Sequence, residues 1–328
     1  MVIELKDLNK TFKIYKREQG VLDSLKSFFR RQHVYIEAVK DINISIEKGE
    51  KVGFLGPNGA GKSTTIKMMT GILHPTSGDV KVLDYTPWED RKKYVKNIGV
   101  IFGQKSQLWI DLPPIDSFYL HKDIYDIPEE EFKKRLDYMV EVLNLEEIMR
   151  RPVRNLSLGE RMKCEFVVAL LHNPPVLFLD EPTIGVDAIS KDEIRNFIEK
   201  VNEDFGTTFI LTTHDMDDIE EVCDRIIVID EGNIIYNGNL TNLKNRYVKW
   251  NNIKIDFNKV KNKKKLANLL KKSEVLVDGN SYKEIKVSKK HDINKVLKEV
   301  MESVEVVDLS IQEPRLENLI KEIYKNKK

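Results

Sequence analysis

The octapeptide GPNGAGKS at residues 56–63 concentrates more chemistry than any other stretch of this 328-residue chain. Gly56, Gly61, Lys62 and Ser63 fit the spacing G-x-x-x-x-G-K-[S/T]. Glycines at these points let consecutive backbone N–H groups curl around a phosphate, because no Cβ obstructs the curl. Pro57, Asn58, Gly59 and Ala60 complete the loop, and Thr64 follows it into the next helix. Lys62 adds a point charge with the reach of terminal phosphates, and Ser63 offers a hydroxyl to Mg²⁺.

Four other segments carry side chains suited to phosphoryl chemistry. VLFLDEPT at 176–183 ends an apolar run in Asp180 and Glu181. Asp180 is placed to hold Mg²⁺ through water, and Glu181, one residue further out, suits orientation or deprotonation of an attacking water. A capped strand end does not account for adjacent carboxylates after an apolar run. LSLGER at 156–161 opens a helix, with Ser157 as N-cap and Glu160 completing a capping box. That box is a full structural explanation by itself, yet a serine and Gly159 at a helix N-terminus also bind an anion. Gln104 follows the run IGVIF, and His214 ends a run in LTTHD, where imidazole reaches a γ-phosphate or water. Either residue alone would be uninformative.

The elements that position these groups can be read around them. KVGFL at 51–55 is a short buried strand, and TTIKMMTGI at 64–72 starts a helix whose dipole favours an anion at its N-terminus. Strands are expected at 2–8, 80–84, 98–102, 176–180, 207–212 and 225–230, and helices at 126–149, 160–172, 188–205 and 215–224. This alternation means α/β with a substantially parallel sheet. Within 13–36, an insertion, VLDSLKSFFRR sets Leu22, Leu25, Phe28 and Phe29 at helical spacing beside basic residues. It suits packing on its own domain and contact with a membrane-embedded partner or bilayer surface equally. After Leu243 the order becomes β-α-β-β-α-β-α, a small α+β, ferredoxin-like domain.

Composition narrows the class. Hydrophobic residues make 41% and charged residues 33%, which suits a folded core with a solvated surface. No run approaches the roughly 18 apolar residues that span a bilayer, and MVIELKDLNK lacks the apolar region of a secretory signal. A cytoplasmic chain is expected, with any membrane role supplied by a partner. Cys164 and Cys223 lack metal-ligand spacing and read as buried thiols. Residues 1–243 carry 32 basic and 41 acidic side chains, and residues 244–328 carry 22 and 12, so the parts stand at −9 and +10. The step marks a domain joint; a Lys-rich solvated surface is favoured for the basic part over nucleic acid or anionic membrane.

In this order and spacing, the segments resemble the nucleotide-binding cassette of ABC ATPases over roughly residues 2–240. GPNGAGKS resembles Walker A, VLFLDEPT Walker B, LSLGE the signature usually written LSGGQ, Gln104 the Q-loop glutamine, His214 the switch histidine and IGVD at 184–187 the D-loop with its Asp187. Leu158 and Glu160 depart from the usual signature, whereas Ser157 and Gly159 are retained. The resemblance implies a P-loop NTPase fold with a helical subdomain at about 105–172, ATP and Mg²⁺ as cofactors, and Ser63, Gln104 and Asp180 as the Mg²⁺ set. It implies Glu181, His214 and Lys62 as catalytic residues, with Ser157, Gly159 and Glu160 acting from a second cassette. Phe12 holds the usual place of the adenine-stacking aromatic; Tyr15 and Tyr35 are alternatives, and each also fits a core role.

A cassette followed by a small α+β domain ending in EPRLENLIKEIY is similar to the ATP subunits of type-2 exporters of drugs, lipids or polysaccharides. The implied assembly is a pair of cassettes, homodimeric or heterodimeric, under a transmembrane permease at the inner face of the membrane. Competing readings are an importer ATPase, a non-catalytic regulatory module, and a soluble ABC ATPase on ribosomes or nucleic acid. One cassette without long coiled coils argues against the last, so no nucleic-acid partner is expected; Glu181 and His214 argue against a non-catalytic module.

Overall fold

The computed structural model describes residues 1–15, 33–103 and 105–325, which divide into two compact units, Met1–Gly238 and Asn239–Lys328. The first unit opens with a long antiparallel pair, β1 (Ile3–Tyr15) and β2 (His33–Ile46). Then come β3 (Lys51–Leu55), α1 (Lys62–Met69), β4 (Ser77–Val82), α2 (Arg91–Val95) and β5 (Ile98–Phe102). Three helices follow: α3 (Pro114–Ile124), α4 (Glu129–Leu143) and α5 (Leu158–Leu170). The chain returns through β6 (Val176–Asp180), α6 (Ala188–Phe205), β7 (Thr208–Thr212), α7 (Met216–Val222), β8 (Arg225–Asp230) and β9 (Asn233–Asn239).

The central sheet runs β5-β6-β7-β3-β8-β9, with parallel pairing from β5 through β8. Strands β3 and β7 are buried at every residue, as expected where helices and a second sheet cover both faces. The register aligns Phe102 with Asp180, Asp180 with Thr212, and Phe54 with Thr212. The carboxyl ends of β3, β6 and β7 therefore lie side by side, where open α/β sheets bind ligands. A three-stranded antiparallel sheet, β2-β1-β4, packs Ile3, Leu5, Ile44 and Val80 into one core with Phe54, Ile66 and Phe178. Helix α4 places Phe132, Leu136, Val140 and Leu143 on its buried stripe. Its first turn carries Glu129, Glu130 and Glu131 against the positive end of the dipole, and Asn144 closes it in the left-handed conformation.

Several boundaries differ from the sequence pattern, and the helix expected at 126–149 runs only over Glu129–Leu143, between Pro128 and the left-handed Asn144. Residues 13–15 and 33–36, read as part of the insertion, are strand, because Lys13 pairs with Tyr35 and Phe12 with Ile36. The amphipathic segment with Leu22, Leu25, Phe28 and Phe29 lies outside the described residues. Strand β4 ends at Val82 and not at 84, because Leu83 and Asp84 turn the chain with φ of 52° and 63°.

The second unit begins at Asn239 and not after Leu243. Helix α8 (Leu240–Tyr247) belongs to it: Leu240 and Leu243 are buried, and the helix packs on α11 (Leu316–Lys325). Between them lie β10 (Trp250–Val260), α9 (Lys263–Lys272), β11 (Glu274–Asp278), β12 (Tyr282–Ser288), α10 (Ile293–Ser303) and β13 (Val304–Gln312). The antiparallel order β11-β12-β10-β13 with this succession is the ferredoxin-like arrangement. Ile253, Ile255, Phe257 and Ile285 of the sheet pack with Leu266, Leu269 and Val300 of the helices.

Candidate nucleotide site

Residues 56–61 leave the buried strand β3 and deliver Lys62 to the first turn of α1. Gly61 has φ 110°, and a Cβ there would stand 2.4 Å from the Ala38 carbonyl oxygen, so the loop's closeness to β2 requires glycine. Lys62 is buried, and its Nζ donates to the carbonyl oxygens of Gly56 at 2.6 Å and Pro57 at 3.1 Å. Burial pulls its pKa down, while Glu181 and Asp180 act in the opposite direction. An ammonium held by neutral carbonyls at the mouth of such a loop can exchange them for phosphate oxygens.

Asp180 ends β6 beside α1. Its Oδ1 accepts from Ser63 Oγ at 2.9 Å and from Thr212 Oγ1 at 2.6 Å. Hydroxyl and carboxylate oxygens at this separation are the hard donors that Mg²⁺ takes, with phosphate oxygens and waters filling the rest of its shell. Glu181 breaks out of the strand with φ 56°, and its N–H donates to Thr212 O at 2.9 Å and to Thr212 Oγ1 at 3.2 Å. The left-handed turn is uncommon for a residue other than glycine and redirects the side chain away from the sheet. Glu181 Oε1 then meets His214 Nε2 at 2.6 Å. The two side chains are 24% and 47% exposed, so they pair while open to water.

One cavity of about 570 Å³ gathers Asn58, Ser63, Lys105, Asp180, Glu181 and His214. The motifs do not name every residue around it: Lys67, Ile72, Phe102 and Gly103 also line the cavity, and Thr212 and Lys105 carry polar groups beside it. Thr212 is the polar carboxyl end of the strand TFILT, and its place before His214 in LTTHD is the available signal. Lys105 lines the cavity, and only its adjacency to Gln104 pointed to it. Gln104 itself lies outside the described residues, as does the side chain of Tyr15. Phe12 sits on β1 opposite Ile36, with Lys10 Nζ 5.3 Å from its ring centre, and Tyr35 is exposed. Neither aromatic lines the cavity.

Ser157, Gly159, Glu160 and Asp187 form a separate group that does not line it either. Ser157 Oγ accepts from Glu160 N at 3.1 Å, and Glu160 Oε2 accepts from Ser157 N at 2.8 Å, which completes the capping box on α5. Asp187 caps α6 by accepting from Ser190 N at 3.0 Å and from Ser190 Oγ at 2.8 Å. The caps abut: a Cβ on Gly159 would lie 2.1 Å from Ser190 Oγ, and one on Gly185 would lie 3.1 Å from the Leu158 side chain. Accepting from Glu160 leaves the Ser157 hydroxyl its own proton to donate.

Comparisons with known proteins identify the family. A family model described as "ABC transporter" matches residues 39–184. The ABC transporter ATP-binding protein NatA of Bacillus subtilis is 32% identical over 215 residues, covering 66% of this chain and 87% of NatA. ABC transporter A family member 1 of Dictyostelium discoideum is 33% identical over 228 residues and 70% of this chain, which spans about a quarter (26%) of that longer protein. Among solved structures, a dimeric ATP-binding cassette in a post-hydrolysis state, bound to ADP and Pi, superposes with a TM-score of 0.59 at 27% identity. That match covers 73% of this chain and 98% of the cassette.

Proposed function

The chain belongs to the ABC transporter family, and from that premise we propose that it is the ATP-hydrolysing subunit of an exporter, pairing with a second cassette to drive a separate membrane permease. One observation carries the reading. The loop 56–63, Asp180, Glu181 and His214 meet at one cavity, whereas Ser157 and Gly159 stand apart on the N-terminus of α5. A γ-phosphate bound at the first set then needs Ser157 and Gly159 from another cassette. The exposed Leu158, Ile184 and Ile189 beside the capped helix ends supply apolar surface for that partner.

In the proposed reaction the backbone amides of 56–61 and Lys62 hold the β- and γ-phosphates. Ser63 and Asp180 would hold Mg²⁺, with Gln104 as the third member of the set, and the ion would neutralise charge on the phosphate oxygens. The water oxygen attacks the γ-phosphorus, its proton passes to a Glu181 carboxylate oxygen, and the bond to the β-phosphate oxygen breaks, leaving ADP and phosphate. His214 holds the Glu181 carboxylate in place and contacts the γ-phosphate. Positioning and charge stabilisation are what phosphoryl transfer chiefly requires. Glu181→Gln keeps the shape and removes the base. Turnover should fall about 100-fold or more, with ATP retained and a dimer trapped on size exclusion; near-normal hydrolysis would sink the assignment.

Outward transport is supported by the second unit, by its tail 313–324 and by the insertion before β2. Among the described residues no helix is long and apolar enough to cross a membrane, and on this reading a membrane permease supplies the transport path. Purification of the tagged chain from membranes should bring down a polytopic partner. ATP-driven uptake of cargo by inverted vesicles supports export, and ATP-driven uptake by right-side-out vesicles carrying internal ATP replaces it with import. A salt-sensitive RNA or DNA complex that stimulates hydrolysis would replace both.

A further inference from the structure

A buried carboxylate outside the cavity connects the segments that carry its catalytic pair. Asp218, on α7, is 1% exposed. Its Oδ2 accepts from Thr183 Oγ1 at 2.5 Å and from Thr213 Oγ1 at 3.2 Å. Its Oδ1 accepts from Arg195 Nε at 2.8 Å and Nη2 at 2.7 Å. Thr183 follows Glu181 by two residues, Thr213 directly precedes His214, and Arg195 belongs to α6, the helix that Asp187 caps.

We propose that Asp218 is a positioning residue for hydrolysis, which sets the Glu181–His214 pair by holding Thr183 and Thr213 on one oxygen while Arg195 ties that oxygen's partner to α6. The proposal rests on the assignment of Glu181 and His214 as the hydrolytic pair. An ion pair that served only to dock α7 on α6 would need Arg195 alone. Here two buried hydroxyls, from the loops after β6 and β7, converge on the second oxygen. Removing that acceptor strands both donors in the interior, so the loops must shift to satisfy them. Displacements near 1 Å cost about 100-fold in rate when they separate reacting groups.

The test uses the full-length chain in the form that hydrolyses ATP. Asp218→Asn keeps the shape but turns an acceptor into a donor, and kcat should fall about tenfold or more with KM for ATP nearly unchanged. Because loss of one partner from a buried ion pair can unfold a protein, Thr183→Val is the second variant. It is isosteric, leaves Asp218–Arg195 intact and should lower kcat, with recovery in Thr183→Ser. In a Glu181→Gln background Thr183→Val should add nothing to the residual rate, because the residue it positions no longer acts as a base. A purely structural role predicts the same proportional loss in both backgrounds and overturns the proposal. Wild-type kcat in Thr183→Val and Asp218→Asn, with Glu181→Gln inactive, overturns it while leaving the hydrolytic assignment intact. An inert wild-type protein, or an active Glu181→Gln, removes both.

Discussion

Glu181 shows how much a single backbone conformation decides. Its φ of 56° turns the carboxylate out of β6 toward His214, while Asp180, one residue earlier, stays in register with Thr212 and accepts from the Ser63 hydroxyl. Adjacent carboxylates thereby take different partners: Asp180 hydroxyls, Glu181 an imidazole. Gly159 is constrained by space. Gly159→Ala should push α5 off Ser190, and ATP hydrolysis should fall about tenfold or more while nucleotide binding by the isolated chain, followed by fluorescence, is unchanged. A third residue makes a stability prediction. His172 stacks on Tyr125 at 4.0 Å and bonds the Ile98 carbonyl through Nε2, and burial lowers its pKa from 6.5 to about 4. Between those values the unfolded chain binds a proton that the folded chain does not, so stability is complete above 6.5 and declines as pH falls toward 4. His172→Phe keeps the stack and removes the titration. Its urea midpoint should change less between pH 7 and pH 5, roughly, than that of the wild type.

Among the elements, α5 joins two functions in one helix. Its N-terminus carries the Ser157–Glu160 box, and Glu165 further along accepts from Ser106 Oγ and from Gln107 N at 3.0 Å. The loop after β5 is thus fastened to the helix that presents Ser157. Burial raises the Glu165 pKa, and the hydrogen bonds from Ser106 and Gln107 oppose that shift. Glu165→Leu should expose the Gln107 amide, seen as a roughly tenfold or greater loss of hydrogen-exchange protection there, while α4 stays protected. Glu160→Gln should leave the urea midpoint of the chain unchanged, since glutamine completes the same box through its amide oxygen. The box was legible in the letters S-L-G-E, because capping depends on residues three apart. The Glu165 contact was not, because 106–107 and 165 meet only when β5 and α5 pack.

For the whole molecule, the change in charge and the change in architecture coincide. Residues 239–243 carry no charge, so the step from −9 to +10 falls at the joint between Gly238 and Asn239. Each unit has its own buried core. A chain ending at Gly238 should therefore fold and bind ATP with the affinity of the full-length protein, measured by calorimetry, and lack only the basic unit.

The sequence by itself determined the phosphate loop, the Asp180–Glu181 pair, the capped helix at Ser157 and the alternation that makes a parallel sheet. These rest on local rules: glycine freedom, residue spacing and hydrophobic period. Only the tertiary structure decided which groups share a cavity. The strand order β5-β6-β7-β3 brings Thr212 to Asp180 and His214 to Glu181, and it leaves Ser157 outside that cavity. Strand order is set by long-range packing, which no spacing along the chain encodes, and so the partition of the site appears only in the folded molecule.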